Sequence, residues 1–150
     1  MKFSSVKHIL LGSATLAAGL FSATVSAQTV KIGLIGPMTG AGAAWGYAAQ
    51  GSMQSLAAEV NAKGGLGGRP VQLVVKDTGG SPEKAVSFAK QLVDEEQVFA
   101  IIGPSTSGES LQVKAIAEEG KTPLVSLAAA EVIVNPVAPH VFKTAQKDSH

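Results

Sequence analysis

The sequence has 150 residues, of which 45% are hydrophobic and 15% are charged, a composition that suits one folded domain and excludes a disordered chain. Two of its twelve basic residues, Lys2 and Lys7, lie in the first ten positions, and the other ten stand against eleven acidic residues, which excludes a basic surface of the nucleic-acid-binding type. The absence of cysteine excludes a disulfide framework and a thiolate metal site.

Residues 1–27 have the pattern of a secretory signal peptide. The two early lysines are followed by a mostly apolar run over residues 9–21, which is too short for a membrane span of about 20 residues. Val25 and Ala27 provide small side chains near a cleavage site. We therefore expect export, cleavage after Ala27 and a mature chain that begins at Gln28.

The mature chain opens with a strand pattern and a helix pattern. The apolar, β-branched run Val30–Ile35 predicts a buried strand. A helix with one apolar face is predicted next, because apolar residues recur at spacings of three and four until Gly64 ends the pattern. The apolar positions are Met53, Leu56, Ala57 and Val60.

The second strand and helix follow a glycine-rich turn. Val71–Val75 predicts a strand that ends near Asp77. Ser81 and Pro82 predict a helix start, because serine caps helix N-termini and proline suits the first helical position. The predicted apolar face of this helix comprises Ala85, Val86, Ala89, Leu92 and Val93.

The rest of the chain continues the alternation. Phe99–Ile102 predicts a third strand, and Ser107–Glu119 predicts a third helix that Gly120 ends. Leu124–Ser126 predicts a short fourth strand, and Val141–Lys143 a possible fifth.

This order predicts an α/β fold, a doubly wound parallel sheet with helices on both faces. Ligands of such sheets bind at the carboxyl ends of the strands. The segments expected there are rich in Gly, Ser, Thr or Ala, and they are Gly36–Gly46, Asp77–Ser81, Gly103–Gly108 and Ser126–Glu131.

The sequence gives little indication of catalysis. His8, His140 and His150 do not have metal-ligand spacing, so we expect no metal site and interpret the histidines of the mature chain as solvated loop residues. The sequence contains no hydrolase elbow or P-loop, and the glycines at 64–68 follow a helix rather than a strand. We expect no catalytic residue and no cofactor.

A possible anion site is the loop Gly103–Gly108, which follows a strand and opens a helix. Unpaired backbone N–H groups and the helix dipole favour a carboxylate there, and Ser105, Thr106 and Ser107 add hydroxyls. The alternative is that these residues merely cap their own helix. Trp45, beyond the first strand, is either a core residue or a surface for ligand stacking.

The mature sequence resembles the leucine/isoleucine/valine-binding family of periplasmic proteins over nearly all of residues 30–150. The most specific motif is Asn-x-x-Gly-Gly-Leu-x-Gly, which begins at Asn61. The runs that carry the resemblance are Lys31–Gly40, Ala44–Gly46, Asn61–Arg69, Ala100–Ser107, Pro123–Ala130 and Phe142–Thr144.

The resemblance implies a two-lobed protein that closes on a solute and delivers it to the membrane permease of an ABC importer. By position, Ser107 matches a serine that binds the ligand carboxylate, and Ala128 and Ala130 match residues that contact its main-chain groups. Trp45 matches a tryptophan beside the ligand side chain. Ala130 departs from the threonine common in amino-acid binders, so one partner for an ammonium group is missing. This departure favours an organic acid without that group.

The resemblance also implies that residues 28–150 form the N-terminal lobe, without the second lobe, of a periplasmic solute-binding protein for branched-chain amino acids or related small carboxylates. Two other interpretations stay open at this stage. A sensory ligand-binding module would share the architecture, and so would a Rossmann-like enzyme, which needs catalytic groups that the sequence does not display.

Overall fold

The computed structural model describes residues 28–146, so the predicted signal peptide lies outside the described residues. The strands are β1 (Val30–Gly36), β2 (Val71–Asp77), β3 (Ala100–Ile102), β4 (Leu124–Ser126) and β5 (Val141–Lys143). The α-helices are α1 (Ala43–Ala62), α2 (Pro82–Lys90) and α3 (Ser107–Glu119). Three short helical turns complete these elements, a π-helical turn at Gln91–Glu95 and 3-10 turns at Gly40–Gly42 and Glu131–Ile133.

The five strands form one parallel sheet in the order β2-β1-β3-β4-β5. Helix α1 connects β1 to β2 on one side of it, α2 leads from β2 to β3 on the other side of β1, and α3 connects β3 to β4. Because parallel crossovers are right-handed, α1 lies on one face and α2 and α3 lie on the other. The predicted doubly wound sheet is confirmed.

The main core lies between the sheet and the α2–α3 face. Ile35 and Ile101 contribute from the sheet, and Leu92 and Val113 pack against them from the helices. Gly33 allows this approach, because a Cβ at this position would lie 2.9 Å from a methyl group of Leu92.

The second helix does not run unbroken to Val93 as predicted. It changes at Gln91 into a π-helical turn, which the N–H of Glu96 closes by donating to the Gln91 carbonyl at 2.9 Å. Leu92 is fully buried within this turn. A 3.6-residue apolar period does not reveal such a turn, because one extra residue per turn still places Leu92 towards the core.

Helix α1 covers the other face only in part. Met53, Ala57 and Val60 are half-buried as predicted, whereas Leu56 is 52% exposed, so its assignment to the buried face was wrong. The contacts of α1 with the sheet are concentrated on β2, so the sheet covers only part of the apolar stripe of the helix.

The glycine-rich segment after α1 is the predicted turn. The side-chain amide of Asn61 donates to the Val71 carbonyl at 2.8 Å, and its oxygen accepts from the Val71 N–H at 2.7 Å. Gly65 has a φ of 81°, and a Cβ there would lie 2.1 Å from the Arg69 carbonyl oxygen. The Asn-x-x-Gly-Gly motif therefore joins the end of α1 to the start of β2.

Candidate ligand-binding site

A cleft of about 650 Å³ opens at the carboxyl end of the sheet. Three of the four predicted segments or their neighbours line it, whereas Asp77–Ser81 does not. Its lining residues are Trp45, Ala48, Ala49, Ser52, Ser105, Thr106, Ser107, Leu127 and Ala129. The walls are thus mostly apolar, and three of the four hydroxyl-bearing residues are grouped at the start of α3, whereas Ser52 lies on α1.

Thr106 is the N-cap of α3. Its hydroxyl oxygen accepts from the Glu109 N–H at 3.4 Å, and its hydroxyl donates to Glu109 Oε2 at 2.5 Å. Glu109 is only 1% exposed, and its other carboxylate oxygen has no hydrogen-bond partner among the described residues. For the Thr106 hydroxyl, therefore, the capping alternative is correct, because this group is engaged with its own helix.

Ser107, the first residue of α3, is placed differently. Its Oγ accepts a hydrogen bond from the N–H of Ala130 at 3.3 Å and lines the cleft. Since an acceptor oxygen keeps its own proton, the Ser107 hydroxyl can donate to another group. It lies at a helix N-terminus, where the dipole favours an anion. Its contact with a ligand stays a prediction.

The segment after β4 places alternate residues on opposite sides. Leu127 and Ala129 line the cleft, and the sequence analysis did not single them out. Ala128 is buried in the core and Ala130 packs against it, so only their backbone groups are available to the site. Two-residue alternation along the chain after a strand would have indicated this difference.

This segment is held by hydrogen bonds to its neighbours. The N–H of Leu127 donates to the Pro104 carbonyl at 3.0 Å, and the N–H of Ala128 donates to Ser126 Oγ at 3.2 Å. Lys143, at the end of β5, donates from its ammonium group to the carbonyl of Ala129. Sequence reasoning missed Lys143, because its neighbour across the sheet edge depends on strand order.

Trp45 lies in the first turns of α1, with its side chain 64% exposed and lining the cleft. The core alternative for this tryptophan is therefore excluded. Ala48, Ala49 and Ser52 continue the same wall along α1. A flat aromatic surface bordering small side chains can accommodate an apolar ligand group.

The loop that leads to α1 is anchored by Asp77. Its Oδ1 accepts from the N–H groups of Met38 at 2.8 Å and Gly79 at 2.9 Å, and its Oδ2 accepts from the Thr39 hydroxyl at 2.8 Å. Desolvation alone would raise the pKa of Asp77, but these hydrogen bonds together hold the pKa below the usual aspartate value. Asp77 therefore joins the β1–α1 loop to the β2–α2 loop without reaching the cleft.

His140 differs from the solvated histidine that the sequence predicted. The residue is half-buried. Its backbone N–H donates to Glu118 Oε1 at 2.6 Å, and its ring Nδ1 lies 3.2 Å from Glu118 Oε2. The interaction joins the end of α3 to the start of β5, at the opposite end of the sheet from the cleft. The sequence could not reveal the pair, because 22 positions separate the two residues.

Within residues 28–146, His, Cys, Asp and Glu side chains form no group of three or more that could hold a metal ion. Over the same range, every helix is too short or too polar to cross a membrane.

Three comparisons relate the chain to known proteins. A family model described as "Periplasmic binding protein" matches residues 29–150. The Leu/Ile/Val-binding protein BraC3 of Rhizobium johnstonii is 34% identical over 137 residues, which cover 91% of this chain and 37% of that protein.

Two solved structures are also similar. The branched-chain amino acid transporter substrate binding protein LivJ from Streptococcus pneumoniae, in complex with isoleucine, gives a TM-score of 0.78 at 32% identity over 81% of this chain and 35% of that one. An ABC transporter solute binding protein from R. palustris, in complex with 4-hydroxybenzoate, gives a TM-score of 0.68 at 29% identity over 80% of this chain and 32% of that one. The chain thus spans less than two-fifths of the length of each of these relatives.

Proposed function

The chain belongs to the periplasmic binding protein family, and from that premise we propose that it is part of the solute receptor of an ABC-type importer for amino acids or related small carboxylates. The receptor acts by binding rather than by catalysis. It is exported to the periplasm, loses its signal peptide after Ala27 and delivers the solute to a membrane permease.

The observation that carries the proposal is the position of Ser107. Its hydroxyl lies at the N-terminus of α3 within the cleft, and its proton stays available to donate because the contact with Ala130 uses only an acceptor position of the oxygen. A ligand carboxylate at this point would receive a charge-assisted hydrogen bond and the favourable end of the helix dipole. Trp45 and Leu127 provide apolar walls for the remainder of the ligand.

The names of the relatives support the same ligand chemistry. BraC3 is named for leucine, isoleucine and valine, and the two similar structures hold isoleucine and 4-hydroxybenzoate. All of these ligands carry a carboxylate. They differ in the α-ammonium group, which only the amino acids have.

The residues of this cleft favour an acid without the ammonium group. An ammonium group needs acceptors, yet the lining residues within 28–146 include no acidic side chain. Ala130 has no hydroxyl, so its side chain provides no acceptor for an ammonium group. An aromatic or keto acid that can stack on Trp45 is accordingly the preferred ligand class.

Thermal unfolding of the full-length gene product provides the test. L-leucine, L-isoleucine and 4-hydroxybenzoate are the probes, with L-leucinamide and 4-hydroxybenzamide as matched controls that lack the carboxylate. Stabilisation by at least one acid and not by its amide is the expected result, since a ligand that binds only the native state raises its stability. Stabilisation by leucine and not by 4-hydroxybenzoate would reject the preference for an acid without an ammonium group. Equal stabilisation by acid and amide would contradict a carboxylate site.

A further inference from the structure

We infer that Lys143 acts on the carboxylate site from outside the cleft, through the peptide group between Ala129 and Ala130 and through the hydroxyl of Ser107. This inference rests on the proposed function. Lys143 is absent from the cleft lining, so it is a positioning residue rather than a ligand contact.

The geometry places one peptide group between two side chains. The carbonyl oxygen of Ala129 and the N–H of Ala130 belong to the same peptide unit. The ammonium of Lys143 donates to that oxygen, and the N–H donates to Ser107 Oγ at 3.3 Å. In a trans peptide the two groups point in opposite directions, so the peptide plane is held from both sides.

All hydrogen bonds in this series run in one direction. The ammonium of Lys143 donates to the peptide carbonyl, the peptide N–H donates to Ser107, and the Ser107 hydroxyl can donate to the ligand. Each donor in such a chain polarises the next one, so a positive charge at one end strengthens the donor at the other. A ligand anion at Ser107 is therefore stabilised by a charge that it does not touch.

The fold explains why Lys143 has this position. Lys143 pairs with Ser126 in the register of β5 and β4, so both strands end at the same level. The segment Leu127–Ala130 turns away from that point and brings the Ala129 carbonyl over the end of β5. The lysine is partly buried there, and its charge is placed at the edge of the site.

The hydrogen bonds from Lys143 to Ala129 and from Ala130 to Ser107 also influence which ligand group Ser107 binds. Because the Ala130 N–H occupies one acceptor position of Ser107 Oγ, the hydroxyl proton is directed away from that N–H and stays available to donate, which suits a carboxylate. Loss of Lys143 would weaken the hold on the peptide plane and allow the Ser107 hydroxyl to turn. The selectivity for an acid over its amide should then decrease together with the affinity.

Calorimetry on the full-length gene product tests the inference, with whichever of 4-hydroxybenzoate, L-leucine and L-isoleucine binds most tightly as the probe. Lys143→Met should weaken binding about threefold to tenfold, and Lys143→Arg should restore most of it because the guanidinium keeps the charge and the donors. Lys84→Met, which removes an exposed charge from α2, is the matched control and should leave the affinity unchanged. In the Ser107→Ala background, Lys143→Met should have little further effect, because the connection to the ligand is already lost.

A second readout requires no ligand. In the free protein, Lys143→Met should shift the Ala130 amide proton upfield and accelerate its hydrogen exchange, whereas Lys143→Arg should not. Two results would overturn the inference. One is an Ala130 amide whose chemical shift and exchange rate do not change in Lys143→Met. The other is an equal loss of affinity from Lys143→Met in the wild-type and Ser107→Ala backgrounds. If the wild-type protein binds none of the three probes, the proposed function fails, and the Ala130 amide still decides whether the Lys143 series exists.

Discussion

The carbonyl oxygen of Pro37 lies only 2.1 Å from the point that a Cβ on Gly46 would occupy. Gly46 is the buried residue of α1, and it follows Trp45 directly. The loop after β1 can pass close to the first turns of α1 because residue 46 has no side chain. This contact sets the position of the helix that carries one wall of the cleft.

Substitution of Gly46 by alanine should therefore destabilise the protein. A methyl group at this point has to displace backbone rather than a flexible side chain, and such overpacking costs about 1–3 kcal/mol or more. Gly51→Ala is the matched control in the same helix, because no atom lies within 4 Å of its Cβ position and the change should stabilise by about 0.5–1 kcal/mol. Thermal unfolding of the two variants measures both effects, and equal midpoints for both would contradict the contact.

Local residue patterns were sufficient for most elements of this fold. Ser81 caps α2 as predicted, with its Oγ accepting from the Lys84 N–H at 3.2 Å, and α3 has the predicted bounds. These features depend on residues close in sequence. Leu56 was misplaced because helical periodicity identifies an apolar stripe but not how much of it the sheet covers.

The cleft was predictable in outline and not in detail. The strand-end rule identified Trp45 and the loop that contains Ser107, since it needs only strand order and direction. Leu127 and Ala129 were not identified, because the resemblance pointed to Ala128 and Ala130 and the two-residue alternation after β4 was not applied. Lys143 was missed because its contact with Ala129 joins two strand ends 14 positions apart in the chain.

Asp77 should contribute to acid stability. The folded pKa lies below the unfolded value, so the ionised carboxylate stabilises the fold fully above the ordinary aspartate pKa of about 4, and this contribution is lost as the pH falls through the folded pKa. Asp77→Asn should remove this part of the pH dependence and lower stability at neutral pH. Denaturant unfolding at a series of pH values gives the free energy of unfolding of Asp77→Asn and of Asp94→Asn, which changes an exposed aspartate and serves as the control. If the free energy of unfolding changes with pH in the same way in wild type and in Asp77→Asn, the Asp77 carboxylate contributes nothing to acid stability.

Ser107→Ala should weaken binding of a carboxylate ligand. A hydrogen bond to a charged group is worth about 1.5–3 kcal/mol, which corresponds to roughly 10–100-fold in Kd. Calorimetry with the same acid probe should give an unchanged Kd for Ser87→Ala, a control on the exposed side of α2. If Ser107→Ala binds the acid with wild-type affinity, Ser107 does not contact the ligand carboxylate.

Trp45 should report on occupation of the cleft. Its indole is largely exposed without ligand, so a bound solute that covers it should shift its fluorescence to shorter wavelength. The difference between wild-type and Trp45→Phe spectra isolates this contribution in the full-length gene product. A Trp45 spectrum that stays the same at saturating ligand would place the ligand elsewhere.

The sheet face on the α1 side should promote self-association of a polypeptide limited to residues 28–150. Ile102, Val125 and Phe142 lie in register across β3, β4 and β5, and Phe142 points away from the core that buries Val141. The Phe142 side chain is 54% exposed, and α1 lies chiefly over β2 at the other end of the sheet.

An apolar row of this kind favours contact with a second copy over contact with water. Sedimentation should therefore show association that increases with concentration for residues 28–150. Phe142→Thr should reduce it, because threonine is a β-branched residue that strands favour and the change removes the aromatic surface. Val137→Thr is the control, since Val137 is exposed in the loop before β5 and outside this row. A polypeptide that stays monomeric at every concentration, or a Val137→Thr variant that dissociates as readily as Phe142→Thr, would show that the row is not the associating surface.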